Sequence, residues 1–166
     1  SNSHIEAMRL ASGMAFERLA YLYLNGIVKQ KSRAKKRVLD PGYTSRIFQS
    51  LRSFDDSISF VPDGIVMTIF RHEVKLSGLC EYKMSPHKNI EKSIKQIQIM
   101  IDFINRFSGQ NLRIDTKLNN YLRENHTEIK IDSKPDINIV IPHNSSPNTQ
   151  NISQDPRVNV HVTPFP

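Results

Sequence analysis

Residues Phe60–Lys88, FVPDGIVMTIFRHEVKLSGLCEYKMSPHK, decide how the rest of the chain is read. Two apolar, β-branched segments flank a short polar one, FRHEV, which is the pattern of two strands and a tight connection. Residues 58–83 therefore carry strand composition, with a hairpin of 64–70 and 74–83 around Arg71–Glu73. Pro62 brings no N–H to a ladder and marks a bulge or kink just before Asp63. Counted outward from His72, Asp63 stands as far back as Glu81 stands forward, so pairing sets the two opposite each other. Glu81 and Lys83 are two apart, which on a strand puts both side chains on one face, about 6.5–7 Å apart along the backbone. Cys80 and Tyr82 then point the other way. Gly64, beside Asp63, leaves room for a ligand to approach the backbone.

Two carboxylates and a lysine at close quarters suit one kind of chemistry. Carboxylate oxygens bind a hard divalent cation such as Mg²⁺. Such a cation lowers the pKa of a bound water and neutralises phosphate charge. A nearby ammonium group orients or helps deprotonate the attacking water and stabilises the transition state. That set hydrolyses phosphodiesters. Taken singly, Asp63 is a turn aspartate and Glu81 with Lys83 an exposed strand pair, although Gly78, Leu79 and Cys80 just before them argue for burial.

Residues 4–28 read as a helix, with Met8, Met14, Leu19, Tyr21, Leu24 and Val28 near helical spacing and Gly26 as a stop. At 100° per residue, Glu17 falls among Leu10, Met14, Tyr21, Leu24 and Val28. A carboxylate on an apolar stripe is costly unless paired, and a metal or Lys83 would pair it. Gly13, one turn earlier, lets this helix approach the sheet. Pro41-Gly42 signals a turn, and Ile47, Leu51 and Phe54 fit a short helix at 43–54. The clearest helix is 89–107, striped by Ile90, Ile94, Ile97, Ile101 and Ile104, with Asn89 as cap and Gly109 past its end. Strands are expected at 111–115 and 137–142, and a helical turn at 121–125. The polar stretch 143–156 reads as a linker or long loop. RVNVHVTPF, at 157–165, alternates as an edge strand or an arm that pairs with another chain. The expected organisation is one domain over 1–142 and a linker with a C-terminal strand or arm over 143–166.

With Pro62-Asp63 and Glu81-Tyr82-Lys83 in place, the chain resembles the PD-(D/E)XK nuclease superfamily. The resemblance implies an α/β fold with the restriction endonuclease-like αβββαβ core, a mixed central sheet flanked by helices. It implies Mg²⁺ or Mn²⁺ held by Asp63, Glu81 and the Tyr82 carbonyl, with Lys83 catalytic. Many members add a metal-contacting Glu on the first helix, matched by Glu17. A subset carries a Gln on the helix after the lysine. Gln96 stands in that place, but the Tyr of that form is absent because position 100 is Met.

The net charge is +7, and the excess is local. Lys29, Lys31, Arg33, Lys35, Lys36 and Arg37 fall in nine positions, a run that attracts polyanions such as a nucleic-acid backbone or else forms a solvated basic loop. Ser85, His87 and Lys88 read as loop residues near the lysine. No run of eighteen apolar residues is present, which argues against a membrane partner. The single cysteine, Cys80, excludes an intrachain disulfide and favours a reducing, cytoplasmic setting, with the nucleus not excluded. It reads as a small buried side chain. These readings converge on a nuclease acting on nucleic acid, DNA before RNA, and cutting both strands of a duplex favours a homodimer. The alternatives are a catalytically silent nucleic-acid- or protein-binding module on the same fold, and a basic assembly protein that pairs through 157–165.

Overall fold

On the return strand of the hairpin the apolar spacing changes, from Val74 and Leu76 to Leu79, and regular pleating cannot keep all three on one face. The computed structural model describes residues 2–30, 35–71, 73–84, 86–117 and 125–165. Its elements are α1 (Asn2–Gln30), β1 (Lys35–Val38), α2 (Pro41–Phe54), β2 (Gly64–Phe70), β3 (Glu73–Tyr82), α3 (Ile90–Phe107), β4 (Asn111–Lys117), β5 (Asn125–Ile141), α4 (Pro147–Gln150) and β6 (Val158–Val162). A bulge at Ser77 meets the spacing change: Met67 pairs with Leu76, but Val66 pairs with Gly78. The Ser77 hydroxyl lies 2.5 Å from that of Thr68 across the strands. Val74, Leu76 and Leu79 thereby all reach the same core.

The strands form one mixed sheet in the order β1-β2-β3-β5-β4, with β6 also on β5. β1, β2 and β3 are antiparallel neighbours. The crossover through α3 sets β5 parallel to β3, and β6 runs parallel to β5. β5 changes partners along its length. Its first half pairs antiparallel with β4 and its second half with β6, on either side of a register shift that spans Asp132–Pro135. The chain is thus mixed α/β, a mixed sheet flanked by helices.

Each face of the sheet has its own core. On one, α2 and α3 pack through Ile47, Phe48, Leu51, Ile97, Phe103 and Ile104 against Ile65, Leu79 and Ile139. Each such side chain is worth roughly 1.5–3 kcal/mol of burial. On the other, Phe16, Ala20 and Leu24 of α1 cover Val66, Cys80, Tyr82 and Val140. Asp40 caps α2 by accepting from the Tyr43 N–H at 2.9 Å, and Pro41 is its first residue, so the Pro-Gly pair opens a helix rather than a turn. Asn89 caps α3, accepting from Lys92, and Gly109 adopts φ 77 after its end.

Several expectations are corrected. Strand β2 starts at Gly64, not near 58, because Ile58 and Phe60 turn into the α2/α3 core, where the Phe60 and Phe103 rings meet edge to face at 5.6 Å. Helix α1 runs through Gly26, and the seated stripe is Phe16-Ala20-Leu24. Met8, Leu10 and Met14 are exposed because the first half of α1 packs on no core cluster, and Leu19 is exposed because it is off the Phe16-Ala20-Leu24 stripe. Nothing lies near Gly13, so it admits no close approach. On α3, Ile94 is 47% exposed, and Ser93, Met100 and Phe103 take part in the seated face. The stretch 143–156 contains α4 and buries Thr149. The C-terminal strand pairs with β5 of its own chain. Residues 121–124 of the expected helical turn lie outside the described residues, and Asn125 opens β5.

Gly64 sits where a Cβ would lie 2.5 Å from the Tyr82 hydroxyl oxygen. The space beside this glycine is therefore filled by Tyr82 rather than left for a ligand. Gly64→Ala is expected to lower unfolding free energy by about 1–3 kcal/mol in urea titrations. Adding Tyr82→Phe, which removes the clashing oxygen, is expected to restore part of that loss.

Candidate active site

The bulge at Ser77 fixes which acids meet. Beyond it, Gly64 pairs with Cys80, which sets Asp63 level with Glu81. Asp63 extends the ladder by one residue, its N–H donating to the Cys80 carbonyl at 3.0 Å. Its side chain turns back onto the same strand, where Oδ2 accepts from the Tyr82 N–H at 2.8 Å. Buried Pro62, with no N–H, precedes it where the ladder ends. Asp63 is therefore tied to β3 twice, once through its own N–H and once through its carboxylate.

Glu81 is 7% exposed. Burial, then the charge of Asp63 and a hydrogen bond between the two carboxyls, push its pKa up to about 9, against the opposing pull of Lys83. Two carboxyls in such contact share a proton or a cation, since both cannot stay ionised unaided. Lys83 follows the end of β3, and its N–H donates to the Val140 carbonyl at 2.9 Å. Its Nζ stands 3.8 Å from Glu81 Oε2 and donates to Gln96 Oε1 on α3. The amine is thus held between strand and helix.

Glu17 comes from the opposite face of the sheet, on the seated side of α1 one turn before Ala20 and next to Phe16. Its pKa is raised by burial and then by the charge of Asp63, while Lys83 lowers it. Glu17, Asp63, Glu81 and Lys83 therefore occupy one electrostatic neighbourhood, although they lie on three separate elements. Among the described residues, no group of three or more His, Cys, Asp or Glu side chains is arranged to hold a metal ion. The donors in direct contact are the oxygen-only pair Asp63 and Glu81, which fit a hard divalent cation. The Tyr82 side chain faces away into the α1 core, so only its backbone is available to this site.

Other expected residues fall elsewhere. Lys35, Lys36 and Arg37 lie on β1 opposite Ile69, Thr68 and Met67, the end of β2 away from Asp63. At about 3.3 Å per residue, that is roughly 13–20 Å along the strand. Lys29 is exposed in the last turn of α1. Lys31, Arg33 and Ser85 are outside the described residues, as is the side chain of His87. Cys80 is buried, and burial pushes its thiol pKa up, which suits a packed side chain and not a nucleophile. Sequence reasoning missed Thr149 and Ile152, which with Ser93, Ile97, Ile139 and Ile141 close a small pocket against Glu81, Lys83 and Gln96. The Ser146-Pro147 pair, a helix-start signal, was the available clue. Met84, next after Lys83, and the first turns of α1, including Met8 and Arg9, border a cleft of about 320 Å³.

Comparison with protein-family models, with curated proteins and with solved structures finds no match for this chain.

The raised pKa of Glu81 sets a pH dependence. Between the ordinary value near 4.5 and about 9, the folded chain holds a proton that the unfolded chain has released. The stabilisation linked to this proton is complete below the unfolded pKa and is lost as pH rises toward the folded one. With chelator present, unfolding free energy should fall between pH 5 and 9, by at most about 1.4 kcal/mol per pH unit. Glu81→Gln should flatten that slope in urea titrations.

Proposed function

We propose that this protein is a Mg²⁺- or Mn²⁺-dependent nuclease of the PD-(D/E)XK type, hydrolysing phosphodiester bonds of nucleic acid, with DNA as its substrate. The observation that carries the reading is the buried Glu81 carboxyl on β3 level with Asp63, whose carboxylate is held by the Tyr82 N–H, with the Lys83 amine 3.8 Å from Glu81. The run from α1 through β1, β2, β3 and α3 to β5 supports it, because that order fits the αβββαβ core with α2 inserted after the first strand and β4 inserted before the last. Burying Glu81 beside a second acid costs several kcal/mol unless a ligand or partner offsets it. A structural role would be met more simply by apolar residues of the kind that surround them.

In this reading Asp63, Glu81 and the Tyr82 carbonyl hold the metal, and Glu17 supports the site from α1. The ion, when bound, acidifies a coordinated water and offsets charge on the scissile phosphate. Tyr82 N–H fixes the rotamer of Asp63, so one carboxylate oxygen is committed to the backbone and the other is left for a ligand. Lys83 places its ammonium group at the acid pair, where it orients the attacking water and stabilises charge developing on phosphate oxygens. Gln96 accepts from Lys83 Nζ, which limits the rotamers of a long side chain and orients its remaining hydrogens.

The test is cleavage of mixed DNA and RNA substrates in Mg²⁺ and in Mn²⁺. Lys83→Ala should lower the rate by about 10²-fold or more, and Asp63→Asn likewise. Gln96→Ala should lower it by a smaller factor, about tenfold. Unchanged cleavage by Lys83→Ala would exclude this mechanism. The competing reading, a catalytically silent binding module, is separated by calorimetry. It predicts no Mn²⁺ binding that depends on Asp63, whereas the nuclease reading predicts binding that Asp63→Asn abolishes.

A further inference from the structure

At its C-terminal end α1 leaves a cleft of about 550 Å³ on its side of the sheet, walled by Ile27 and Val28 and bordered by Val66. That volume lies in the range of small-molecule sites. Its polar groups are organised by strand register, with Asn138 of β5 level with Asn159 of β6 and Val140 level with His161. Asn138 Nδ2 donates to Asp136 Oδ1 at 3.0 Å. The amide oxygen therefore faces His161, whose Nε2 lies 2.9 Å away. With a carbonyl oxygen opposite it, Nε2 carries the hydrogen and donates. Asn159 Nδ2 reaches the other carboxylate oxygen, Asp136 Oδ2, at 3.4 Å.

This network is built in rather than incidental. Asn138 is only 5% exposed, on a face whose other members, Val66, Cys80 and Val140, are apolar. On the adjacent strand Gly78 makes room for it: a Cβ there would collide with Asp136 Oδ1 and lie 3.2 Å from Asn138 Nδ2. Burial raises the Asp136 pKa, while the Asn138 hydrogen bond and the charge of Lys36 lower it. Lys36 also borders the cleft, and it belongs to the basic run that the Asp63 site leaves unused. The cleft is separate from that site. It lies on the α1 face near Gly78 and Asp136, whereas Glu81 is level with Ile139, which packs on the α2/α3 face.

We propose that this cleft binds one nucleotide unit, its base edge read by Asp136 and Asn159, its ring against Ile27, Val28 and Val66, and its phosphate met by Lys36. Carboxylate and amide side chains in one line match the donor and acceptor edges of a base. An apolar wall suits its flat face. A purely apolar ligand would take water from the Asp136 carboxylate and the Asn159 amide without offering either a further hydrogen bond, and inorganic phosphate alone would leave the wall bare. The ligand is a free nucleotide or one nucleotide of a single strand, and these two sources share the same recognition chemistry.

The experiment titrates the whole chain with the nucleoside 5′-monophosphates, with inorganic phosphate and with a short single-stranded oligonucleotide, read by calorimetry. At least one nucleoside monophosphate should bind about tenfold or more tightly than phosphate. Asn159→Ala, at an exposed edge position that tolerates truncation, and His161→Ala should each weaken binding about fivefold or more. Asp63→Asn should leave it intact, so loss of the metal site and loss of this site are told apart. Binding of the oligonucleotide alone, with the same dependence on Asn159, supports the proposal with a strand as the source. No binding by either ligand, or binding insensitive to Asn159→Ala, overturns it.

Discussion

One backbone irregularity, the bulge at Ser77, sets the geometry of the candidate site. If β2 and β3 kept the register they hold at Phe70 and Glu73, Asp63 would be level with Cys80. Glu81 would then point to the opposite face of the sheet. The extra residue reverses the alternation of β3 after Leu76, so Leu79, Glu81 and Lys83 share the face that Val74 and Leu76 occupy earlier. The core rewards this arrangement, because Leu79 joins the α2/α3 cluster and Cys80 and Tyr82 join the α1 cluster. Hydrophobic packing thus places the acids, and the two hydrogen bonds of Asp63 to β3 lock them.

Charge then determines what the arrangement can hold. Glu81 is buried, faces another carboxyl, and has the Lys83 amine to oppose both. Without a counter-ion such a pair keeps a proton. With a divalent ion it is relieved of that proton and of most of its repulsion. Glu17 adds a third negative group at longer range, reached from the other side of the sheet. The same sheet carries a second polar network around Asp136, where amides and an imidazole take the place of the second acid. The two clusters differ accordingly: the first asks for a cation, the second for a ligand with hydrogen-bonding edges.

Much of this was legible in the sequence, for reasons that differ from element to element. The α3 helix was marked by its Ile spacing and by Asn89, both of which report local geometry. The facing of Asp63 and Glu81 was also legible, through two departures that cancel. The count assumed a connection centred on His72, whereas Phe70 pairs with Glu73, and the Ser77 bulge restores the lost residue. The interval from Leu76 to Leu79 was the visible sign of that bulge. Less legible was which face of α1 is seated. Met8, Leu10 and Met14 are apolar, yet they extend beyond the sheet, and no local pattern reports where a sheet ends. The enclosure of Lys83 by Gln96, Thr149 and Ile152 depends on contacts between residues far apart in the chain. Composition alone marked 143–156 as a polar linker.

In the proposed mechanism Asp63 and Glu81 form one oxygen site for a divalent cation. Anomalous diffraction from crystals equilibrated with Mn²⁺ measures this directly. A peak within coordination distance of both carboxylates, about 2.0–2.4 Å, and absent from Asp63→Asn crystals, is the predicted result. Saturating Mn²⁺ with no density between the two groups, or with the Glu81 carboxyl turned away from Asp63, would contradict it.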